Sequence, residues 1–117
     1  MERVPISKIG TTLFVSIQID LQDESVVRLQ EDLADVLVAT GARGVIIDIT
    51  AMEVVDSFTG RMLAMIGSIS RLFDAETVLV GMRPAVAITL TELGLSLRGL
   101  RTALNAEKGL ELLNGRA

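Results

Sequence analysis

The stretch that decides the fold runs from Gly44 to Phe73 and reads GVIIDITAMEVVDSFTGRMLAMIGSISRLF. Its first part is short, apolar and rich in β-branched residues, which is typical of a buried strand. From residue 58 onward, apolar residues recur at helical spacing. They are Met62, Met65, Ile66, Ile69 and Phe73. The stretch therefore predicts a strand over 44–50 and a helix over 57–74, with Asp56 and Ser57 at the mouth of that helix.

The rest of the chain predicts strands that alternate with helices. Further strands are predicted at 4–8, 12–19, 76–82 and 100–104. Further helices are predicted at 23–40, at 84–93 and, capped by Asn105, through Leu113. The order β-β-α-β-α-β-α-β-α indicates an α/β fold with a mostly parallel sheet, right-handed crossovers and one antiparallel hairpin that turns at Gly10.

Composition narrows the classes of function. The 117 residues suit one domain, and 50% of them are hydrophobic, which provides for a core and for apolar surface that a partner could cover. A net charge of -4 and an aromatic content of 3% argue against nucleic-acid binding. The absence of Cys excludes disulfides. No apolar run reaches the roughly 18 residues of a membrane span, so we expect a cytoplasmic protein.

Motifs of enzyme chemistry are missing from the sequence. There is no phosphate-binding loop, no dinucleotide fingerprint and no nucleophile elbow. Without any His, Ser57 as a nucleophile would need Lys8 or Lys108 as its base. Asp48, Glu53 and Asp56 could form a magnesium site, but Asp48 alternates with apolar residues in a strand, which favours a structural role. We therefore expect no catalytic residue, no metal site and no cofactor.

Ser57 has two interpretations that remain open on the residues alone. A Ser or Asp before an amphipathic helix is usually its cap, which contributes roughly 1 kcal/mol. A helix N-terminus also tolerates a phosphate, because its free N–H groups and partial positive charge favour anions. A phosphate on Ser57 would add about -1.5 to -2 charges beside Asp56. One hydroxyl can serve both as a cap and as a kinase target.

A stripe of small residues, Gly60, Ala64 and Gly67, follows at helical spacing. Glycine inside a helix costs roughly 1 kcal/mol relative to alanine, so two of them need a reason. Close packing on the domain's own sheet and close approach of a partner explain the stripe equally well. The acidic face of the helix over 23–40 is most simply a solvated surface, and a docking face for a basic partner is the alternative.

Three segments together resemble the STAS domain family, the anti-sigma factor antagonists. They are VIIDITAMEVVDSFTGR at 45–61, TLFVSIQIDLQD at 12–23 with LQEDL after it, and VGMRPAVAITLTELG at 80–94. Within the family, the resemblance is to the RsbS-type scaffolds of the stressosome. It implies a single STAS domain over 1–117, with helices packed mainly on one side of a mixed, mostly parallel sheet.

The resemblance also implies a function and its residues. Ser57 matches the family's phosphoacceptor, and Thr89 lies where some relatives carry a second one. The surface that meets partners would consist of Asp56, Phe58, Thr59, Gly60, Arg61 and Ala64. A protein of this type is a non-enzymatic, phosphorylation-switched scaffold.

The implied partners are RsbR-type STAS paralogues, an RsbT-type serine kinase and a PP2C-type phosphatase, within a large complex. The dephosphorylated scaffold would hold the kinase and release it when Ser57 is phosphorylated. The alternatives are a free anti-sigma factor antagonist that binds one anti-sigma kinase, and a STAS domain that binds a small molecule or nucleotide.

Overall fold

The computed structural model describes residues 4–17, 23–94 and 100–115, and its five strands form one sheet in the order β1-β2-β3-β4-β5. The strands are β1 Ile6–Ile9, β2 Thr12–Ser16, β3 Gly44–Asp48, β4 Glu76–Val80 and β5 Leu100–Ala103. The helices are α1 Asp23–Thr40, α2 Ser57–Leu72, α3 Pro84–Glu92 and α4 Ala106–Asn114. The predicted order of elements is confirmed.

The sheet is mixed, with one antiparallel pair at its β1 edge. β1 pairs antiparallel with β2, whereas β2, β3, β4 and β5 all run parallel. The tight turn at Gly10, with φ 61°, joins the antiparallel pair. Parallel neighbours need crossover connections, and the helices supply them. Both the predicted sheet type and the predicted hairpin are confirmed.

The two faces of the sheet are covered unequally. Alternate residues of β3 point to opposite sides, so Val45 and Ile47 face one core while Ile46 faces another. The larger core takes the apolar faces of α1, α2 and α3, and the smaller core takes α4. The expected packing of helices mainly on one side is therefore confirmed. Within the described residues, no helix is both long enough and apolar enough to cross a membrane.

Several elements end earlier than their patterns predicted. β3 ends at Asp48 rather than at residue 50, and β4 ends at Val80 rather than at residue 82. α2 ends at Leu72 rather than at residue 74, because Asp74 turns into the left-handed region with φ 61°. The end of the strand predicted over 12–19 lies partly outside the described residues. The early strand ends leave room for the loops that carry the candidate site.

Candidate functional site

The candidate site lies at the end of the sheet where the parallel strands have their carboxyl ends. The loop of residues 49–56 joins β3 to α2, and the loop of residues 81–83 joins β4 to α3. The N-termini of α2 and α3 therefore both lie at this edge. Ligands of open α/β sheets bind preferentially at the carboxyl ends of the strands. Ser57 lies at this edge as the first residue of α2.

Asp56, not Ser57, caps α2. Asp56 has the extended backbone of an N-cap residue, and its Oδ1 accepts a hydrogen bond of 2.8 Å from the Thr59 backbone amide. That hydrogen bond is the main reason why the pKa of Asp56 is lowered from its usual value. The interpretation of Ser57 as the cap is therefore wrong, because the residue before it already occupies that position with a better acceptor.

The Ser57 side chain is half-buried and is not committed to the fold. Among the described residues, no hydrogen bond holds its hydroxyl. Its neighbours Asp56 and Arg61 are exposed, and Val54, two residues before the cap, is 69% exposed. A hydroxyl in this position is available for modification without the loss of an internal hydrogen bond.

The predicted partner surface is only partly on the outside of the molecule. Asp56 and Arg61 are exposed, and Phe58 and Ala64 are half-buried, but Thr59 and Gly60 are buried within the chain. The inclusion of Thr59 and Gly60 in a partner surface is corrected by this burial. The reason is that α2 turns the side carrying Gly60 and Gly67 inward, together with Leu63 and Ile66. For these two glycines, packing within the domain is the better of the two explanations.

A hydrogen-bond network fixes the loop that leads to Ser57. Asp48 Oδ1 accepts hydrogen bonds from the Thr50 amide at 2.9 Å and from the Thr50 hydroxyl at 2.6 Å. Arg83 Nε donates to the Thr50 carbonyl oxygen at 2.8 Å. Asp48 is thus a structural residue at the end of β3. Across the described residues, no three acidic side chains are grouped so that they could hold a metal ion.

Gly81 completes this network by allowing close approach. Its φ is 74°, and a Cβ placed on it would overlap the Thr50 hydroxyl oxygen. The Asp-x-Thr spacing at 48–50 is a recognisable turn signal. The partnership with Arg83 and Gly81 has no signal in the sequence, because it joins segments more than 30 residues apart.

Thr89 is engaged within α3. Its hydroxyl donates to the Ala85 carbonyl oxygen at 2.9 Å, four residues back along the helix, and the residue is half-buried. Thr91 makes the equivalent bond to Ala87. A phosphate on Thr89 would have to break this hydrogen bond, unlike one on Ser57. The role of Thr89 as a second acceptor stays a prediction.

The capping assignment predicts a clear contrast between neighbouring substitutions. Asp56→Ala should lower the free energy of unfolding by about 1 kcal/mol, because it removes the acceptor for the Thr59 amide. Ser57→Ala should change it by less than about 0.5 kcal/mol. Urea denaturation of both variants would measure this, and an equal or larger loss in Ser57→Ala would contradict the assignment of Asp56 as the dominant cap.

The cost of Asp56→Ala should also depend on pH. The pKa of Asp56 is lower in the folded chain than in the unfolded one. Its stabilisation is therefore present above the unfolded value of about 3.9 and is lost as the pH falls through the folded value. The gap between wild type and variant should be constant from pH 5 to 8 and shrink below about pH 4. A gap that widens in acid would contradict this origin.

Gly81→Ala should destabilise the chain much more than Gly10→Ala. Both glycines have φ between 61° and 74°, but an added Cβ meets nothing within 4 Å at Gly10 and overlaps Thr50 at Gly81. We expect a loss of about 1–2 kcal/mol at Gly10 from backbone strain alone. At Gly81 we expect a further loss of about 1–3 kcal/mol in the free energy of unfolding, because the added Cβ overpacks the space held by Thr50. Equal losses in urea denaturation would show that the Thr50 contact is unimportant.

Comparison with known proteins places this geometry in a family. The family model for the STAS domain matches residues 3–106. Over 91 residues, 78% of the chain, the sequence is 31% identical to the RsbT co-antagonist protein RsbRA of Bacillus subtilis strain 168. The matched part is 33% of that protein, so the chain spans about a third of its length.

Solved structures agree over nearly the whole chain. A serine-to-glutamate variant of RsbS from Moorella thermoacetica is 45% identical, with 96% of this chain and 95% of that chain covered and a TM-score of 0.84. A chain from a structure of the stressosome is 43% identical, with 95% of this chain and 96% of that chain covered and a TM-score of 0.80. The unphosphorylated anti-sigma factor antagonist SpoIIAA, at 13% identity and a TM-score of 0.77, shares the fold. The chain belongs to the STAS domain family, as an RsbS-like member.

Proposed function

We propose that this chain is a non-enzymatic scaffold of a stressosome-like assembly, and that phosphorylation of Ser57 controls which partners it holds. The observation that carries the proposal is the state of Ser57. The residue is half-buried at the first turn of α2, its hydroxyl makes no hydrogen bond to the described residues, and its neighbour Asp56 is exposed. The 45% identity to RsbS over nearly the whole chain supports the scaffold role.

The electrostatics around Ser57 suit a switch rather than a permanent phosphate site. The helix N-terminus favours an anion, but the Asp56 carboxylate already accepts from the Thr59 amide. A phosphate on Ser57 therefore adds about -1.5 to -2 charges next to an existing carboxylate. The surplus charge would be felt by any partner at this edge. Arg61 is exposed and lies four residues after Ser57, so its positive charge is on the same helix face and would offset part of the added charge.

The proposed partner in the dephosphorylated state is an RsbT-type serine kinase. The Bacillus relative is described as an RsbT co-antagonist, which supports a kinase of this type as a partner of the family. Val54 gives the surface beside Asp56 an exposed apolar contact. A phosphate brought into such a contact loses hydration, and this would weaken binding by a few kcal/mol. A PP2C-type phosphatase would restore the binding state.

The kinase should modify Ser57 and should be released by that modification. Incubation with the RsbT-type kinase and ATP, followed by peptide mass spectrometry, should find phosphate on Ser57 in the wild type and none at that position in Ser57→Ala. Thr89→Ala is the control and should be phosphorylated on Ser57 like the wild type. In a pull-down assay, ATP should release the kinase from the wild type and from Thr89→Ala but not from Ser57→Ala. Modification elsewhere with Ser57 untouched would refute the switch.

The scaffold role and the free-antagonist alternative differ in particle size. We propose that the chain assembles with an RsbR-type paralogue, so the mixture should elute from size-exclusion chromatography as one particle far larger than a dimer. Ser57→Ala should assemble equally well, because it removes one hydroxyl that the fold does not use. A mixture that stays as monomers or dimers would favour a free antagonist and would leave the phosphorylation test standing.

A further inference from the structure

A cleft of about 820 Å³ lies at the amino ends of β2, β3, β4 and β5, which is the opposite end of the sheet from Ser57. Its charged side chains come from three separate segments of the chain, at residue 43, residues 71–76 and residue 101. They are Arg43, Arg71, Asp74, Glu76 and Arg101. Clefts of this size are typical of sites for small molecules. Three arginines in one cleft are unexpected in a chain whose net charge is -4.

The arginines of the cleft are not all engaged. Arg101 Nη1 lies 3.1 Å from Glu76 Oε2, in a salt bridge at the rim. Arg43 and Arg71 are exposed, and within the described parts of the chain neither side chain has an ion-pair or hydrogen-bond partner. Among the described residues that line the cleft, Arg43 and Arg71 thus have no ion-pair partner, and Asp74 is the carboxylate that is not paired with Arg101.

The backbone holds Arg43 in place while leaving its side chain free. The Arg43 amide donates to the Thr11 carbonyl oxygen at 2.8 Å, and its own carbonyl accepts from the Glu76 amide at 3.0 Å. The Arg43 backbone is therefore fixed at the start of β3, while its exposed side chain can reorient toward a ligand in the cleft. Ordering this side chain on binding costs free energy, which charge-assisted hydrogen bonds to an anion must offset.

Compensation of helix dipoles explains only part of this pattern. Arg71 lies in the last turn of α2, where a cation is stabilised by the helix C-terminus. Arg43 and Arg101 lie next to strands or in one, and the dipole effect falls off within the last turn. Leu100 and Leu113 also line the cleft, and Leu113 occupies the space where Gly44 has no side chain.

We propose that this cleft binds a small polyanion that carries phosphate or carboxylate groups. Arg43 and Arg71 supply planar donor forks that match these groups. Arg101, held by Glu76, supplies the third positive charge. Asp74 limits affinity as a like charge, and it occupies a left-handed position with φ 61° where glycine is usual. The proposal is independent of phosphorylation at Ser57, which lies at the opposite edge.

Isothermal titration calorimetry at low salt, with sodium pyrophosphate and sodium citrate as separate probes, tests the proposal. Arg43→Gln should weaken binding about tenfold or more, as expected for the loss of a charge-assisted hydrogen bond. Asp74→Asn should strengthen binding, and Asn tolerates the left-handed conformation as Asp does. Lys108→Gln removes an equal charge outside the cleft and should change affinity less than twofold. Preference for one probe identifies the anionic group of the ligand.

A second readout needs no substitution and keeps the test independent of variant folding. In a ¹⁵N-¹H titration of the wild type with pyrophosphate, the amides of Arg43, Gly44, Ala75 and Glu76 should shift. Shifts confined to Ser57 and Phe58 would instead indicate binding at the α2 N-terminus and would overturn the proposal. Absence of binding by either probe at 10 mM, or equal weakening by Arg43→Gln and Lys108→Gln, would overturn it as well.

Discussion

The complete burial of β3 is the constraint on which the rest of the structure depends. Val45, Ile46 and Ile47 have no exposed surface, because the strand is paired on both edges and covered on both faces. Each such side chain contributes roughly 1.5–3 kcal/mol. Because β3 is held by both neighbouring strands and by both cores, the position of its last residue, Asp48, is fixed. Asp48 in turn fixes Thr50 and the start of the loop to Ser57.

Hydrogen-bonded loops and a capped helix therefore surround Ser57, whose hydroxyl makes no hydrogen bond to the described residues. Arg83 ties the loop before α2 to the start of α3 through the Thr50 carbonyl. Asp56 caps α2, so phosphorylation of Ser57 would remove no capping hydrogen bond. The proposed phosphorylation at this position would change the surface charge without breaking a hydrogen bond of the Ser57 hydroxyl. That separation of stability from signalling suits a protein whose proposed role is to hold and release partners.

Much of the fold could be predicted because hydrophobic periodicity is a local property. The apolar run at 45–49 and the helical spacing after Phe58 identified β3 and α2, and the alternation of elements predicted the parallel sheet. Asn105 was correctly assigned as the cap of α4, since its side chain accepts from the Lys108 amide. Element ends were less accurate, because Asp74 ends α2 by a backbone conformation that no residue pattern specifies.

By itself, the sequence determined the order of elements, the position of Ser57 at the mouth of α2 and the resemblance to STAS domains. Between two adjacent residues that could both cap α2, the structure selected Asp56, and it showed that Gly60 faces inward. It alone also brought Arg43, Arg71 and Arg101 to one cleft. The physical reason is range: spacing along the chain encodes local faces, whereas contacts between distant segments depend on how the strands and helices are finally packed.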